Sequence, residues 1–404
     1  MKDGGLKLRN LNEVVFVSAV RTPMGKFGGT LKDMKIYDVA AFPIREALKR
    51  ANVDGDELDD AIIGSCRQAG NHVNPAKSAA AKGGAGLAVP GVTINKACPA
   101  GMKSISLATQ LIQVGQGNVV LCGGMESMST IPHLVKGYRW KGFRMGPVTL
   151  EDGWSDAHDP VADLSMGLTA ENLVVKYDIS REELDEFASN SHNKAEAAQK
   201  NGWFDEEITP VTVPGGRKNP DIVFEKDESI RYGSTPEQMA NLRPAFKKDG
   251  IITAGNACGM TDGAAFLVAM TREEADKRGV KPLFSVVSYD QCAVDGKFMG
   301  DGPSVSIPRA LEKGGMTLGD MDLIEVNEAF AAQVIANERV LKWDRSLLNV
   351  HGGAIALGHP TGCSGARIVM TLYYAMKRLD KEFGVAGICG GGGSTMAMVI
   401  KRES

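Results

Sequence analysis

The 404-residue chain is longer than one ordinary hydrophobic core can organise, so its length indicates two or three domains. Its 43% hydrophobic and 24% charged residues are those of a globular protein, and a net charge of −3 offers nucleic acid no broadly basic surface. Seven irregularly spaced cysteines, no CxxC or HExxH and no apolar run of membrane length argue against a disulfide framework, a zinc site and a transmembrane helix.

The polar lead, 1–12, lacks the apolar core of a signal peptide, which predicts a cytoplasmic protein with reduced thiols. Residues 14–20 are apolar except for Ser18 and predict a buried strand. A helix follows over 37–50, then strands over 60–63, running toward Gly64, and 92–94. From Pro99 onward Ile105, Ala108, Leu111 and Ile112 recur at helical spacing, and Gly115 and Gly117 end the run. Residues 119–122 predict the next strand, stopped by Gly123 and Gly124. This alternation predicts an α/β fold.

The second half repeats the first. "ALKRANVDGDELD" at 47–59 matches "ALEKGGMTLGDMD" at 310–322 without a gap, at an offset of 263. At an offset of 264, "AGMK" (100–103) aligns with "SGAR" (364–367), each predicted to open a helix. In both halves the helix leads to a strand and a glycine cluster, "VVLCGG" and then "VAGICGGGG". The pattern predicts a duplicated α/β unit.

The segment 126–255 has another character: it carries Trp140, Trp154 and Trp203, the turn Pro214-Gly215-Gly216 and many charges. It predicts a domain inserted into the first half. The expected division is 1–125 plus about 256–280, the insert 126–255, and a second half over 281–404.

Three clusters can carry chemistry. In "INKACPAGMKSI" Cys98 stands at the predicted helix start, with Pro99 at the first helical position and Cys98 at the N-cap. The helix dipole there favours a thiolate, and free N–H groups can hold an oxyanion. A buried cysteine acting as a small hydrophobe is the alternative. In "HGGAIALGHPTGCSGAR" the stretch Gly358-His359-Pro360 fixes a histidine at the mouth of the copied helix. If the halves pack about a pseudo-twofold axis, His359 can act as base to Cys98; a turn histidine bonded to backbone is the alternative.

Cys389 precedes four glycines and can serve as a second acid/base, or be a strand-end thiol. Asn327 in "NEAFAA", predicted to open a helix after "LIEV", can orient water or act as a cap. His351 and the histidines at 72, 133, 158 and 192 lack such framing, as do Cys66, Cys122, Cys292 and Cys363.

Together these clusters resemble the thiolase family, enzymes that make or cleave 3-ketoacyl-CoA thioesters. The resemblance rests on "NKACPAGMKS", "GGMESMS", "MGLTAEN", "LRPAFKKDGIITAGNACGMTDGAA", "NEAFAAQ", "GGAIALGHPTGCSGAR" and "CGGGGS", which occur in the family's order over nearly the whole chain. It implies two five-layered α/β halves with an inserted loop domain that binds CoA. It also implies that Cys98 is the acylated nucleophile, that His359 activates it, and that Asn327 holds a water at the thioester oxygen. Cys389 resembles the acid/base, and the N–H groups of Cys98 and Gly391 look like a second oxyanion hole.

Arg231 matches a position flanking the adenine of CoA, Cys258 one that contacts the pantetheine, and the resemblance implies that Ser165 and Met166 also belong to the CoA-binding set. CoA enters as a substrate; no separate cofactor, metal, nucleic-acid or membrane partner is implied. A homodimer or homotetramer in fatty acid metabolism is expected.

The chain departs from the family pattern at four places. Cys258 replaces the usual Ser, "CPAG" replaces the usual small pair after the nucleophile, Gly390 stands where Ile is common, and Ser165 stands where the acetoacetyl-specific branch tends to carry His. The rival readings are a decarboxylating ketoacyl synthase of the same fold and a non-catalytic CoA- or lipid-binding relative. A serine hydrolase lacks its GxSxG elbow and a Walker loop its GxxxxGK.

Overall fold

The structure, a computed structural model, describes residues 11–71, 73–154, 158–217 and 219–403; most of the polar lead and His72 lie outside the described residues. Its frame consists of β1 (Val14–Arg21), α1 (Ile36–Arg50), β2 (Asp60–Gly64), α2 (Pro75–Lys82), β3 (Gly91–Ile94), α3 (Ala100–Gln113), β4 (Val119–Ser127), α4 (Met166–Tyr177) and α5 (Arg181–Lys200). It continues with β5 (Thr261–Thr271), β6 (Phe284–Ala293), α6 (Gly302–Lys313), β7 (Leu323–Val326), α7 (Ala331–Leu341), α8 (Thr361–Leu379), β8 (Phe383–Cys389) and β9 (Ser394–Arg402).

The strands order as β7-β8-β9-β6-β1-β5-β4-β2-β3, and the short strand Gly25–Lys26 pairs with β5. From β1 outward the pairings run antiparallel, antiparallel, parallel, parallel. From β6 outward the same series recurs, its last step a parallel bridge between Ile324 and Leu348. The halves meet where β1 pairs with β6 through Val15–Ser285 and Phe16–Phe284, whose rings stack 4.8 Å apart.

Period-two alternation along the strands sorts side chains into layers. In β4, Val120 and Cys122 face the central core, whereas Val119 and Leu121 face the outer core of the first half. In β9, Met396, Met398 and Ile400 face the centre, while Ala397 and Val399 face the outer core of the second half. Helices α3 and α8 fill the centre, α1 and α2 cover one outside, and α6 and α7 cover the other. The two halves together thus stack as five layers, α-β-α-β-α, and share the central helix layer.

The duplication extends to single hydrogen bonds. Asp59 accepts from the N–H groups of Asn118 and Val119 with Oδ2, and Asp322 accepts from Glu382 and Phe383 in the same way. Each pins the start of the next central strand, β4 or β8. Asp54 with Glu57 and Thr317 with Asp320 form matching capping boxes on the short 3-10 turns before those aspartates.

Helices α3 and α8 cross at two equivalent glycines. A Cβ on Gly101 would lie 2.7 Å from the Ala366 nitrogen, and one on Gly365 would lie 2.4 Å from the Met102 nitrogen. "SGAR" lies one turn inside α8 rather than at its start, because the helix already begins at Thr361.

Two expectations are corrected. Gly123 and Gly124 do not stop the strand: β4 runs on to Ser127. Their lack of a side chain serves close approach instead, since a Cβ on Gly124 would sit 2.0 Å from the Gly362 carbonyl oxygen of α8. Nor does Asn327 open a helix, because α7 begins at Ala331 with Phe330 as its N-cap.

The chain between β4 and β5 carries α4 and α5, and a buried ion cluster joins it to β1. Arg21 Nε meets Glu207 at 2.7 Å, and its terminal nitrogens meet Asp227 at 2.7 and 2.9 Å. Among the described residues, no helix is long and apolar enough to cross a membrane.

Candidate active site

Cys98 is presented by a tight turn between β3 and α3. Asn95 Oδ1 accepts the Ala97 N–H at 3.0 Å, and the Ala97 carbonyl accepts the Ala100 N–H at 2.9 Å. This holds Ala97 at a φ of 50°, a left-handed conformation that an alanine adopts only when its surroundings impose it. The Cys66 thiol donates to the Ala97 carbonyl at 3.0 Å, and Asn95 Nδ2 donates to the Cys66 carbonyl at 3.2 Å. Cys66, which the sequence left as incidental, thus braces the turn.

The N-cap of α3 is Pro99, so Cys98 lies one residue ahead of the expected cap. The helix dipole does not leave Cys98 a resting thiolate. Burial pushes the thiol up to about 11, against the pull of the Gly391 N–H, the Arg67 charge and its own N–H. Losing solvent outweighs a terminus worth at most about 2 kcal/mol.

His359 lies just before α8, buried, with its main-chain N–H donating to the Gly259 carbonyl at 3.0 Å. Its Nδ1 lies 2.6 Å from Ser364 Oγ, whose own proton goes to the Pro360 carbonyl at 3.0 Å. The bond network therefore assigns the proton to Nδ1 and leaves Nε2 as an acceptor. Nε2 is buried and has no hydrogen-bond partner among the described residues. Burial, reinforced by the Arg367 charge, pulls the imidazole down to about 3, so it is a neutral base.

Asn327 donates its main-chain N–H to the Gly387 carbonyl at 3.0 Å. Its side chain is fully buried, and neither Oδ1 nor Nδ2 has a hydrogen-bond partner among the described residues. A fully buried amide with both ends unanswered is costly unless a bound group meets it.

Cys389 ends β8, buried, and burial holds its thiol well above the ordinary range. Cys98 and Cys258 both raise it further by charge, so the three thiols share one neighbourhood. Burial likewise pushes Cys258 up to about 12. The Gly391 N–H favours the Cys98 thiolate, and a Cβ on Gly391 would lie 3.6 Å from Met166 Sδ. Residues 257–259 tie the parts together: Ala257 bridges to Phe330, Cys258 donates to the Ala329 carbonyl at 3.0 Å, and Gly259 holds His359.

Ser165 is the half-buried N-cap of α4 and makes no side-chain cap bond. Arg231 is exposed, with its main-chain N–H on His192 Nδ1 at 3.1 Å and its guanidinium 3.5 Å from the Ala254 carbonyl. His351 accepts from Arg378 at 2.8 Å and packs beside Trp203, a structural arrangement. Cys122 and Cys363 lie in the central core.

Sequence reasoning missed three groups. Ser364 was read only as part of a helix start. Glu126 was quoted within "GGMESMS" without a role. Its buried carboxylate accepts from the Cys66 and Arg67 N–H groups at 2.9 and 3.0 Å, and from Thr361 Oγ1 and the Gly362 N–H at 2.7 and 2.9 Å. It thereby clamps the loop behind Cys98 to the helix behind His359; a lone carboxylate in the apolar run 119–127 was the available signal. Phe246 packs over Gly167 of α4 and edge-on to Phe330 at 6.0 Å, forming an apolar wall beside the 257–259 segment.

Known proteins match this chain along its length. The thiolase N-terminal domain matches residues 14–273 and the thiolase C-terminal domain residues 280–402. An acetyl-CoA acetyltransferase of Cupriavidus necator is 46% identical over 395 residues, 97% of this chain and 100% of its own. The crystal structure of the Bacillus anthracis acetyl-CoA acetyltransferase superposes with a TM-score of 0.94 at 43% identity, covering 98% of this chain and 100% of its own. Human mitochondrial 3-ketoacyl-CoA thiolase in complex with CoA superposes at 0.92 with 40% identity, covering 97% and 98%. Duplicated halves, family matches on both and full-length relatives agree: the chain belongs to the thiolase family of acyltransferases.

Proposed function

We propose that the protein moves an acyl group between CoA and the α-carbon of acetyl-CoA, through a thioester on Cys98. In cleavage, the Cys98 proton passes to His359 Nε2 as the sulfur attacks the 3-keto carbonyl. The bond between the α- and β-carbons then breaks, the Cys389 thiol protonates the leaving enolate, and acetyl-CoA departs. The second half resets both donors: free CoA gives its thiol proton to the Cys389 thiolate, its sulfur attacks the acyl-Cys98 thioester, and Cys98 recovers the proton held on His359. Condensation is the reverse. Two half-reactions sharing one nucleophile give ping-pong kinetics.

The N–H groups of Cys98 and Gly391 form one oxyanion hole; His359 with a water on Asn327 forms the other. A thiol raised to about 11 and an imidazole lowered to about 3 both rest neutral, so charge is separated only as the bond forms. The observation that carries the reading is the second thiol, Cys389, buried within electrostatic reach of Cys98. A decarboxylating condensing enzyme of this fold has no use for it.

The inserted segment 126–255 is the part we assign to CoA, with Arg231 beside the adenine and Ser165, Met166, Cys258 and Phe246 along the arm that leads to the thiols. The edge strand β3, with Val92 44% exposed, supports assembly into a homodimer or homotetramer. Fatty acid metabolism in the cytoplasm is the setting this chemistry fits.

The test is CoA-dependent cleavage of acetoacetyl-CoA and of a ten-carbon 3-ketoacyl-CoA, side by side. Activity confined to the first makes the enzyme an acetyl-CoA acetyltransferase; comparable cleavage of both makes it a broad 3-ketoacyl-CoA thiolase. Activity on neither contradicts the proposal.

A further inference from the structure

Gly390 has no conformational reason to be glycine. Its φ of −157° and ψ of 159° are those of extended backbone, open to any residue. The reason is space. A Cβ there would stand 2.6 Å from Pro99 Cδ, 3.3 Å from the Cys98 nitrogen and 3.4 Å from Ala97 Cβ. The nearest obstacle belongs to a ring that cannot rotate away, on the N-cap of α3.

The position matters because of its neighbours. Cys389 precedes it, and Gly391, whose N–H favours the Cys98 thiolate, follows it. Residue 390 is the joint between these two groups, and Pro99 is the surface on which the joint rests.

We propose that Pro99 and Gly390 are one coupled pair of positioning residues: the proline ring occupies the space of a side chain at 390 and sets the spacing between Cys98 and residues 389–391. A side chain at 390 with Pro99 in place drives the loops apart by about 1 Å to reach an ordinary carbon contact of about 3.5–4.0 Å. A displacement of that size costs about a hundredfold in rate where reacting groups must align.

The inference rests on the catalytic reading above, and its test separates the two. Wild type, Gly390→Ala, Pro99→Ala and the double variant Pro99→Ala/Gly390→Ala are compared as full chains, for thiolysis kcat and KM and for Cys98 alkylation by iodoacetamide against pH. The expectation is that Gly390→Ala loses about a hundredfold in kcat with little change in KM, and that the double variant recovers at least tenfold of that loss. Alkylation of Gly390→Ala should move to higher pH, because the Gly391 N–H no longer favours the thiolate, and should return in the double variant.

Wild-type turnover in Gly390→Ala, or a double variant no better than Gly390→Ala in kcat and alkylation, overturns the pairing. If Gly390→Ala does not fold, recovery of folded, alkylatable protein in the double variant supports the pairing, and failure of both overturns it. An inactive wild type would refute the catalytic reading, while the alkylation comparison would still decide the pairing.

Discussion

His359 Nδ1 lies 2.6 Å from Ser364 Oγ, and the Ser364 proton is already engaged with the Pro360 carbonyl. The ring must donate through Nδ1, so Nε2 faces the site as an acceptor. Ser364→Ala removes the partner that selects this tautomer. Steady-state thiolysis should show kcat lower by about tenfold to a hundredfold, the usual effect of losing an orienting hydrogen bond. Ser364→Thr, which restores the hydroxyl, should recover most of it.

The Cys98 thiol sits near 11 because burial outweighs the Gly391 N–H and the Arg67 charge. Since the thiol is protonated below that value, thiolate fraction and alkylation rate should climb about tenfold per pH unit through pH 7–9. Mass spectrometry of the Cys98 peptide after timed iodoacetamide pulses measures this. A plateau reached near neutrality would show that the turn stabilises the anion more than its burial allows.

Glu126 joins the loop behind Cys98 to the N-terminus of α8 through four acceptor contacts. Glu126→Ala leaves the half-buried N–H groups of Cys66 and Arg67 and the buried N–H of Gly362 without that acceptor. The expected loss is about 2–3 kcal/mol of unfolding free energy, with kcat falling because the nucleophile and the base lose their common tether. Urea denaturation with parallel kinetics checks both; unchanged kcat would make the clamp purely structural.

The ion cluster of Arg21 with Glu207 and Asp227 is buried on every side. Arg21→Met strands two carboxylates, one of them already pushed above the ordinary range by burial despite its partner. Denaturant unfolding should show a loss of about 3–5 kcal/mol.

What the sequence revealed depended on how local each cause was. The copies 47–59 and 310–322 were legible because Asp59, Asp322 and their capping boxes act within a few residues of the strands they pin. The role of Gly124 was not, because its reason is the Gly362 carbonyl, far along the chain. The framing of Cys98 by Asn95 and Pro99 correctly marked a special turn. The cap position and the sense of the thiol shift were missed, because the burial that pushes Cys98 up is a product of tertiary packing and not of the local turn. Ser364 escaped notice because its partner, the ring of His359, is fixed by tertiary packing rather than by spacing.

The most direct test of the account is to incubate the enzyme with acetyl-CoA alone, without an acceptor, quench in acid and map the adduct by mass spectrometry. The account predicts one acetyl group on Cys98, discharged on adding CoA, and in Cys389→Ala the same adduct but about a thousandfold slower carbon–carbon cleavage. No adduct on Cys98, or a Cys389→Ala enzyme that still condenses and cleaves at the wild-type rate, would contradict it.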